Sequence, residues 1–276
     1  MPDQTNTKNG KVVLVTGSSS GIGKICADYL YSRGFTIYGT SRNPGSENNG
    51  YELIAMDIRE SESVKQGIDY ILSKGQGIDV VLNNAGIGIA GPIEDSSIED
   101  IRRQFNTNFY GTIRVCKAVL PAMRQQQSGL IINCSSIAGT MGLPFQAVYS
   151  ASKFAIEGMT EGLRMEVRQF GIDVTLIEPG DFKTNFTSNR IKVKRSSNNS
   201  PYKPQFDNTL AIMERDEMNG PTPKKIAQLV HKIIHKKSPK VRYTVGSPTQ
   251  RFATQLKRVL PSKVFEWIIM DNYQLR

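Results

Sequence analysis

Thr16-Gly17-Ser18-Ser19-Ser20-Gly21-Ile22-Gly23 follows directly on the apolar run Lys11 to Thr16, and from Lys24 onward the chain reads as a helix. Glycines at this point let the backbone turn tightly between strand and helix and lie close to a phosphate. The helix start offers free N–H groups and the positive end of its dipole to an anion. Gly17, Ser19, Gly21, Ile22 and Gly23 are therefore candidate contacts for the pyrophosphate of a dinucleotide. A strand-to-helix turn also uses glycine for packing alone, so the rest of the chain has to decide.

Outward from this turn, short apolar runs alternate with longer stretches of helical period, the pattern of βαβ units feeding a parallel sheet covered on both faces. Strands are predicted at Lys11 to Thr16, Phe35 to Thr40, Glu52 to Met56, Ile78 to Leu82, Leu130 to Cys134, Asp173 to Ile177 and Val241 to Val245. Helices are predicted near Ile22 to Arg33, Glu60 to Ser73, Ile98 to Gln127, Val148 to Gln169 and Pro223 to Lys236. The third is expected to break near Thr107 and Asn108, because one unbroken helix of that length would be unusual. Ser96, with Glu99 three positions on, reads as the capping box at its start. The expected fold is α/β, a Rossmann-type doubly wound, mostly seven-stranded parallel sheet with helices on both faces. One domain is expected over residues 11 to 276, after a flexible start at residues 1 to 10.

The 276 residues, 38% of them hydrophobic, are enough to bury a sizeable core. No run approaches the roughly 20 apolar residues of a membrane span, and the polar start Met1 to Gly10 lacks an export-signal pattern, so a cytoplasmic protein is expected. Cys26, Cys116 and Cys134 are odd in number and unrelated in spacing, which excludes a disulfide framework and points to packing roles. The net charge of +10 is unevenly spread: residues 1 to 219 carry 23 basic and 23 acidic side chains, while 220 to 276 carry twelve cations against Glu266 and Asp271. With the excess confined to one segment, no nucleic-acid partner is expected.

The second strand ends Thr40-Ser41-Arg42-Asn43, where a carboxylate would grip the adenosine ribose of NAD. Arg42 stands there instead. Its fork of donors suits the 2′-phosphate of NADP, with Ser41 as helper, although an arginine after a strand is also an ordinary surface residue. Asp57, after the third strand, is placed to accept from the adenine amino group or to serve as a loop-turn aspartate. Asn83-Asn84-Ala85-Gly86 follows the fourth strand at the carboxyl edge of the sheet, where small residues permit close approach of a ligand. Tyr149 and Lys153 are four apart on a predicted helix, so they share one face and the cation stabilises a neighbouring phenolate. Ser136, at the end of the fifth strand, is placed to bring a hydroxyl beside that phenol, with a polarised carbonyl oxygen between the two.

Taken together, Thr16 to Gly23 as TGxxxGxG, Asn83 to Gly86 as NNAG and Tyr149 to Lys153 as YxxxK resemble a classical short-chain dehydrogenase/reductase over essentially residues 11 to 245. The resemblance implies that Tyr149 is the general acid/base, that Lys153 lowers its pKa and binds the nicotinamide ribose, and that Ser136 positions the substrate oxygen. It also implies that Asn108 holds a relay water; Asn106 is the competing position, but Asn108 has the family's usual spacing to Gly111. Cofactor contacts are implied at Asn84, Ala85 and Gly86, and at Pro179, Gly180 and Thr184 in a PG…T segment. The implied cofactor is NADP(H), the implied reaction interconverts a ketone or aldehyde and an alcohol, and the implied assembly is a homodimer or homotetramer. The stretch Gly139 to Gly162 looks like the hydroxysteroid and retinol dehydrogenase branch, which suggests a sizeable apolar substrate. A non-catalytic NADP-binding regulator is the rival reading, but it has little need of Asn108, Ser136, Tyr149 and Lys153 together.

Residues 185 to 219 break the alternation with a polar, proline-containing stretch that reads as a substrate lid or as disorder. In the C-terminal segment 247 to 276, Phe252, Leu256, Val259 and Leu260 recur at helical spacing, Pro261 ends the run, and a second apolar cluster spans Val264 to Met270. This segment is expected either to close the substrate cleft or to lay a basic, apolar face on anionic lipid as a peripheral membrane contact. His231 and His235 lie one helical turn apart, but the surrounding Ile226, Leu229, Val230, Ile233 and Ile234 mark a core stripe, so no metal is expected.

Overall fold

The computed structural model describes residues 10–45, 49–194 and 200–275. Seven strands form one parallel sheet: β1 (Val12–Val15), β2 (Thr36–Ser41), β3 (Glu52–Ala55), β4 (Val80–Asn83), β6 (Gly129–Cys134), β7 (Ile172–Pro179) and β9 (Arg242–Val245). Their order across the sheet is β3-β2-β1-β4-β6-β7-β9. The chain winds outward from β1 in one direction through β2 and β3, then crosses to β4 and winds the other way. The carboxyl ends of β1 and β4 therefore diverge, opening the crevice in which doubly wound sheets bind ligands. A separate two-stranded ribbon pairs β5 (Ile89–Ala90) with β8 (Ile191–Lys192).

Helices cover both faces because the central strands are apolar on both sides: β1 and β4 are buried along their whole length. On one face, α2 (Ser61–Ser73) and α4 (Gly111–Gln126) press Val64, Ile68, Val115, Val119 and Met123 against Leu14, Val81 and Ile131. On the other, α1 (Gly21–Tyr31) and α7 (Lys224–Ile234) pack Cys26, Leu30, Ile226, Val230 and Ile233 against Val13, Val15, Leu82 and Ile132. The alternation of residues 13 and 15 with 12 and 14 between the two cores is the pleat of a strand. α5 (Ala147–Val167) completes the sandwich.

The expected long third helix is α3 (Ile98–Phe105) followed by α4, with one π-helical turn over Asn106–Tyr110 between them. The break falls where it was expected. The capping box, however, is Ser97 with Asp100, each side chain bonding the other's backbone N–H, and not Ser96 with Glu99. Ser96 instead gives its hydroxyl to the Pro92 carbonyl at 2.8 Å. The polar stretch 185 to 219 also differs from expectation, because it contains β8 and a helix, α6 (Lys203–Met218). Its start carries Pro204 in the first turn, a favoured place for proline. Residues 195 to 199 of the expected lid and residues 1 to 9 of the start expected to be flexible lie outside the described residues. The chain ends in α8 (Pro248–Val259) and α9 (Ser262–Asn272).

Cys26 and Cys116 are buried packing residues, while Cys134 is partly accessible. Burial raises all three thiols above their ordinary range. The rings of His231 and His235 stand edge-on to Phe35. Among the described residues no His, Cys, Asp and Glu cluster that would hold a metal occurs, and no helix is long and apolar enough to cross a membrane.

Candidate active site

The turn after β1 is a cradle that side chains cannot occupy. Gly17 and Gly21 take left-handed backbone angles, φ +66° and +58°, and a Cβ at Gly23 would strike the Gly17 carbonyl oxygen and the Asn84 amide. Ser18 turns inward, its N–H donating to the Thr40 carbonyl at 3.0 Å, while Ser19 and Ser20 face outward. Thr16 ties the two diverging strand ends together: its hydroxyl accepts from the N–H groups of Asn84 at 3.0 Å and Ala85 at 3.1 Å. Asn84 returns the link by donating its amide to the Thr16 and Gly17 carbonyls at 3.0 and 3.2 Å. Beside Gly21 the nearest atom to an added Cβ would be that of Thr184, 3.8 Å away. An open trough over the start of α1, walled by Thr184, fits a pyrophosphate.

At the end of β2, Ser41 closes the strand and Arg42 is exposed. Asp57 is committed to Arg59, which donates its Nε to Oδ1 at 2.9 Å and its Nη2 to Oδ2 at 2.6 Å. The Arg59 side chain, with Arg42 as a further nearby cation, holds the Asp57 carboxyl below its ordinary range. The backbone N–H of Arg59 also donates to Asp57, so the loop-turn reading of that aspartate describes its geometry. Sequence reading did not single out Arg59, because the pairing depends on a turn that brings the two side chains round.

Ser136 lies just beyond the end of β6, and Tyr149 and Lys153 lie on α5. Ser136 caps a short 3₁₀ turn, accepting from the Ala138 N–H at 3.1 Å, and its hydroxyl donates to the Pro179 carbonyl at 3.4 Å. Tyr149 is buried in the first turn of α5. Burial pushes its phenol above the ordinary range, and a hydrogen bond with Ser136 pulls the other way. Lys153, one turn on, donates to the Cys134 carbonyl at 2.8 Å and stands 5.8 Å from the centre of the Tyr149 ring. Burial depresses the lysine, partly offset by Glu157. A phenol that keeps its proton at neutral pH, beside a hydroxyl and the Lys153 side chain, is able to donate that proton to a carbonyl oxygen.

Asn108, and not Asn106, reaches this site from the π-helical turn. Its Nδ2 donates to the Ile87 carbonyl at 3.0 Å and to the Ser152 hydroxyl at 3.1 Å, and its Oδ1 accepts from the Ile87 N–H at 2.9 Å. With two donors and two acceptor positions on an amide, these bonds leave one acceptor position on Oδ1 unused. Gln104, fully buried, clamps the same segment by accepting from the Ile89 N–H and donating to the Ile87 carbonyl, both at 2.8 Å. Beneath the site, Asn83 donates to Asn133 and Asn133 to Thr160, both at 2.9 Å. These supporting amides carry no local sequence signature, since each contact joins residues far apart in the chain.

Over the site, the Phe186 ring packs 5.8 Å from the Tyr149 ring. Arg190 sits over the other aromatic at 5.6 Å and pairs with Glu217 at the end of α6. α8 docks against the Pro179 to Asp181 segment through Gln250, whose Oε1 accepts from the Asp181 N–H at 3.2 Å.

The pattern of the short chain dehydrogenase family matches residues 11–194. The chain belongs to that family. It is similar to a 3-ketodihydrosphingosine reductase from Bacteroides thetaiotaomicron, 42% identical over 266 residues that cover 96% of this chain and 99% of the relative. It is also similar to bovine retinol dehydrogenase 8, 32% identical over 84% of this chain and 80% of that one. A solved short-chain dehydrogenase from Streptomyces avermitilis superposes with a TM-score of 0.81 at 29% identity, covering 95% of this chain and 97% of the other. As a member of this family the protein is an oxidoreductase acting on carbonyl and alcohol groups.

Proposed function

We propose that the protein is an NADPH-dependent reductase of a long-chain, lipid-like ketone of the 3-ketosphingoid type. The observation that carries this is the arrangement of Ser136 with the buried Tyr149 and Lys153, beside a glycine cradle and a second strand that ends in Ser41-Arg42 where NAD binding would call for a carboxylate. Support for the substrate comes from the 42% identical relative and from the apolar Phe186 roof over Tyr149. NADPH, when bound, supplies the hydride. Gly17, Ser19, Gly21, Ile22, Gly23 and Thr184 would hold its pyrophosphate, Ser41 and Arg42 its 2′-phosphate, and Asn84, Ala85, Gly86, Pro179 and Gly180 its nicotinamide half. Asp57, held by Arg59, would border the adenine.

Ser136 and Tyr149 bind the carbonyl oxygen, and Tyr149 passes its proton to it as charge develops. Lys153 binds the nicotinamide ribose and favours the phenolate left behind. Asn108 positions the Ile87 segment and Ser152 and presents one acceptor position to a relay water.

The finer assignments are a cytoplasmic homodimer or homotetramer, with Phe154 and Met165, both exposed on one face of α5, in the subunit contact. A peripheral contact of α8 and α9 with anionic lipid would bring the ketone to the cleft. A screen of NADPH and NADH oxidation against carbonyl compounds of graded chain length tests the function. The expected result is turnover with NADPH that rises with apolar chain length; turnover confined to short polar carbonyls, or equal with both cofactors, would contradict it.

A further inference from the structure

We infer that Asp181 and Arg190, the latter held by Glu217, form a polar subsite beside Tyr149 that takes an ammonium on the carbon next to the reacting carbonyl and a hydroxyl on the carbon after it. This rests on the reading of the protein as a long-chain ketone reductase and adds the part of the substrate that the reading leaves open.

The subsite is connected to the reacting hydroxyls by direct contacts. Ser136 donates to the Pro179 carbonyl, and Asp181 is two residues further along. On the lid side, Tyr149 touches Phe186 and Phe186 touches the Arg190 guanidinium. The Tyr149 phenol feels the charges of both Glu217 and Arg190, which places the cluster within electrostatic reach of the transferred proton. Asp181 and Tyr273 also feel both Glu217 and Arg190, so these side chains lie within electrostatic reach of one another.

Two features of this group are unexplained by folding alone. The Arg190 side chain is 1% exposed, and its Nη1 has no hydrogen-bond partner even though Nη2 is paired with Glu217. A buried guanidinium N–H without an acceptor is costly and calls for a ligand oxygen. Asp181 forms no ion pair among the described residues, and its carboxyl is pushed up to about 6 by burial and by the charges of Glu217 and Asp216. Gln250 donates to one of its oxygens. Glu217 is fully used, bonding Arg190 and accepting from the Thr187 hydroxyl at 2.6 Å, and Asp216 is bridged by Arg215. Asp181 is therefore the carboxylate left to meet a cation, and Arg190 Nη1 the donor left to meet a hydroxyl oxygen. A 3-keto sphingoid base presents its ammonium on the carbon adjoining the ketone and its hydroxyl on the next carbon along, both on the side away from the alkyl chain. A lid clasp made only of Arg190, Glu217 and Thr187 would need neither feature.

The test compares a long-chain 1-hydroxy-2-amino-3-ketone with its analogue lacking the amine, using NADPH, in the unaltered protein and in Asp181→Asn, which keeps the side-chain size and the Gln250 contact. The unaltered protein is expected to favour the amino ketone by about tenfold or more in kcat/KM, mainly through KM, because a site built for a charged hydrogen bond rejects the analogue lacking it. Asp181→Asn should bring that ratio close to one. In the unaltered protein the KM for the amino ketone alone should rise as pH falls through about 6, where Asp181 gains a proton among Glu217, Asp216, Arg190 and Tyr273. Equal kcat/KM for the two ketones, or a ratio unchanged in Asp181→Asn, would overturn the subsite while leaving the ketone reductase standing. Failure to reduce either ketone would overturn both.

Discussion

Arg42 shows how far a single side chain can be read without its surroundings. Its position after β2 and the missing carboxylate were visible in the sequence, whereas the second cation nearby, Arg59, emerges only from the turn that folds it onto Asp57. Replacing Arg42 by alanine should weaken NADPH binding by about one to two decades, the cost of a charge-assisted contact to phosphate, and leave NADH nearly unaffected. Fluorescence titration with both reduced cofactors checks this, and an equal loss for both would place Arg42 away from the 2′-phosphate. The same contrast holds across the site. Tyr149, Lys153 and the glycines are legible because their chemistry depends on spacing along one element. Gln104, Asn133 and Thr160 are not, because their partners lie 15 to 50 residues away.

Among the elements, α6 was hidden in the sequence by its polar approach and its prolines. Phe206, Leu210 and Met213 do recur at helical spacing, and all three are buried. The ends of the long third helix were better marked, yet the cap moved by one residue, the usual margin for helix boundaries. α5 is held from outside by β9, through Arg242. Its Nε donates to Glu157 of α5 at 2.7 Å and lies 3.3 Å from Glu178 of β7, and its Nη2 bonds Glu161. Glu157 and Glu178 are 8% and 1% exposed, so Arg242→Met strands two buried carboxylates and should destabilise by about 3–5 kcal/mol. Burial raises the Glu157 carboxyl above its unfolded range. Ionisation above that range then opposes folding, so the loss should be largest above the folded value and shrink as pH falls. Thermal unfolding of both proteins at pH 8 and pH 5 measures it; a constant difference in Tm would show that these carboxylates do not titrate with folding.

For the whole molecule, the doubly wound sheet was legible because a parallel sheet buried on both faces leaves a run of apolar strands at regular intervals. The role of the tail was not, because charge and apolar periodicity describe a surface without saying what lies against it. α8 turns Gln250 toward Asp181, while Phe252 (65% exposed), Val259 (76%) and Trp267 (56%) face outward beside Arg251, Arg258 and Lys263. α8 thus contacts the segment beyond β7 through Gln250 while these apolar residues and cations stay exposed, and docking of the tail on anionic lipid is the proposal to test. Sedimentation with phosphatidylserine-containing vesicles at low salt should carry the protein down, and high salt or neutral vesicles should release it. No sedimentation with anionic vesicles at low salt would leave the tail as a cleft cover alone.

The proposed transfer of a proton from Tyr149 to a carbonyl oxygen links all three scales, since the sheet places Ser136, α5 places the phenol and Lys153, and the cradle would set the cofactor beside them. The most direct measurement is the steady-state rate of NADPH-driven reduction of 3-ketodihydrosphingosine by Tyr149→Phe, with NADPH affinity titrated in parallel. Loss of the general acid should lower kcat by about two to four decades, while NADPH affinity stays within about twofold because the ring and its packing remain. A Tyr149→Phe protein that reduces the ketone at close to the unaltered rate would contradict the assignment of Tyr149 as the proton donor.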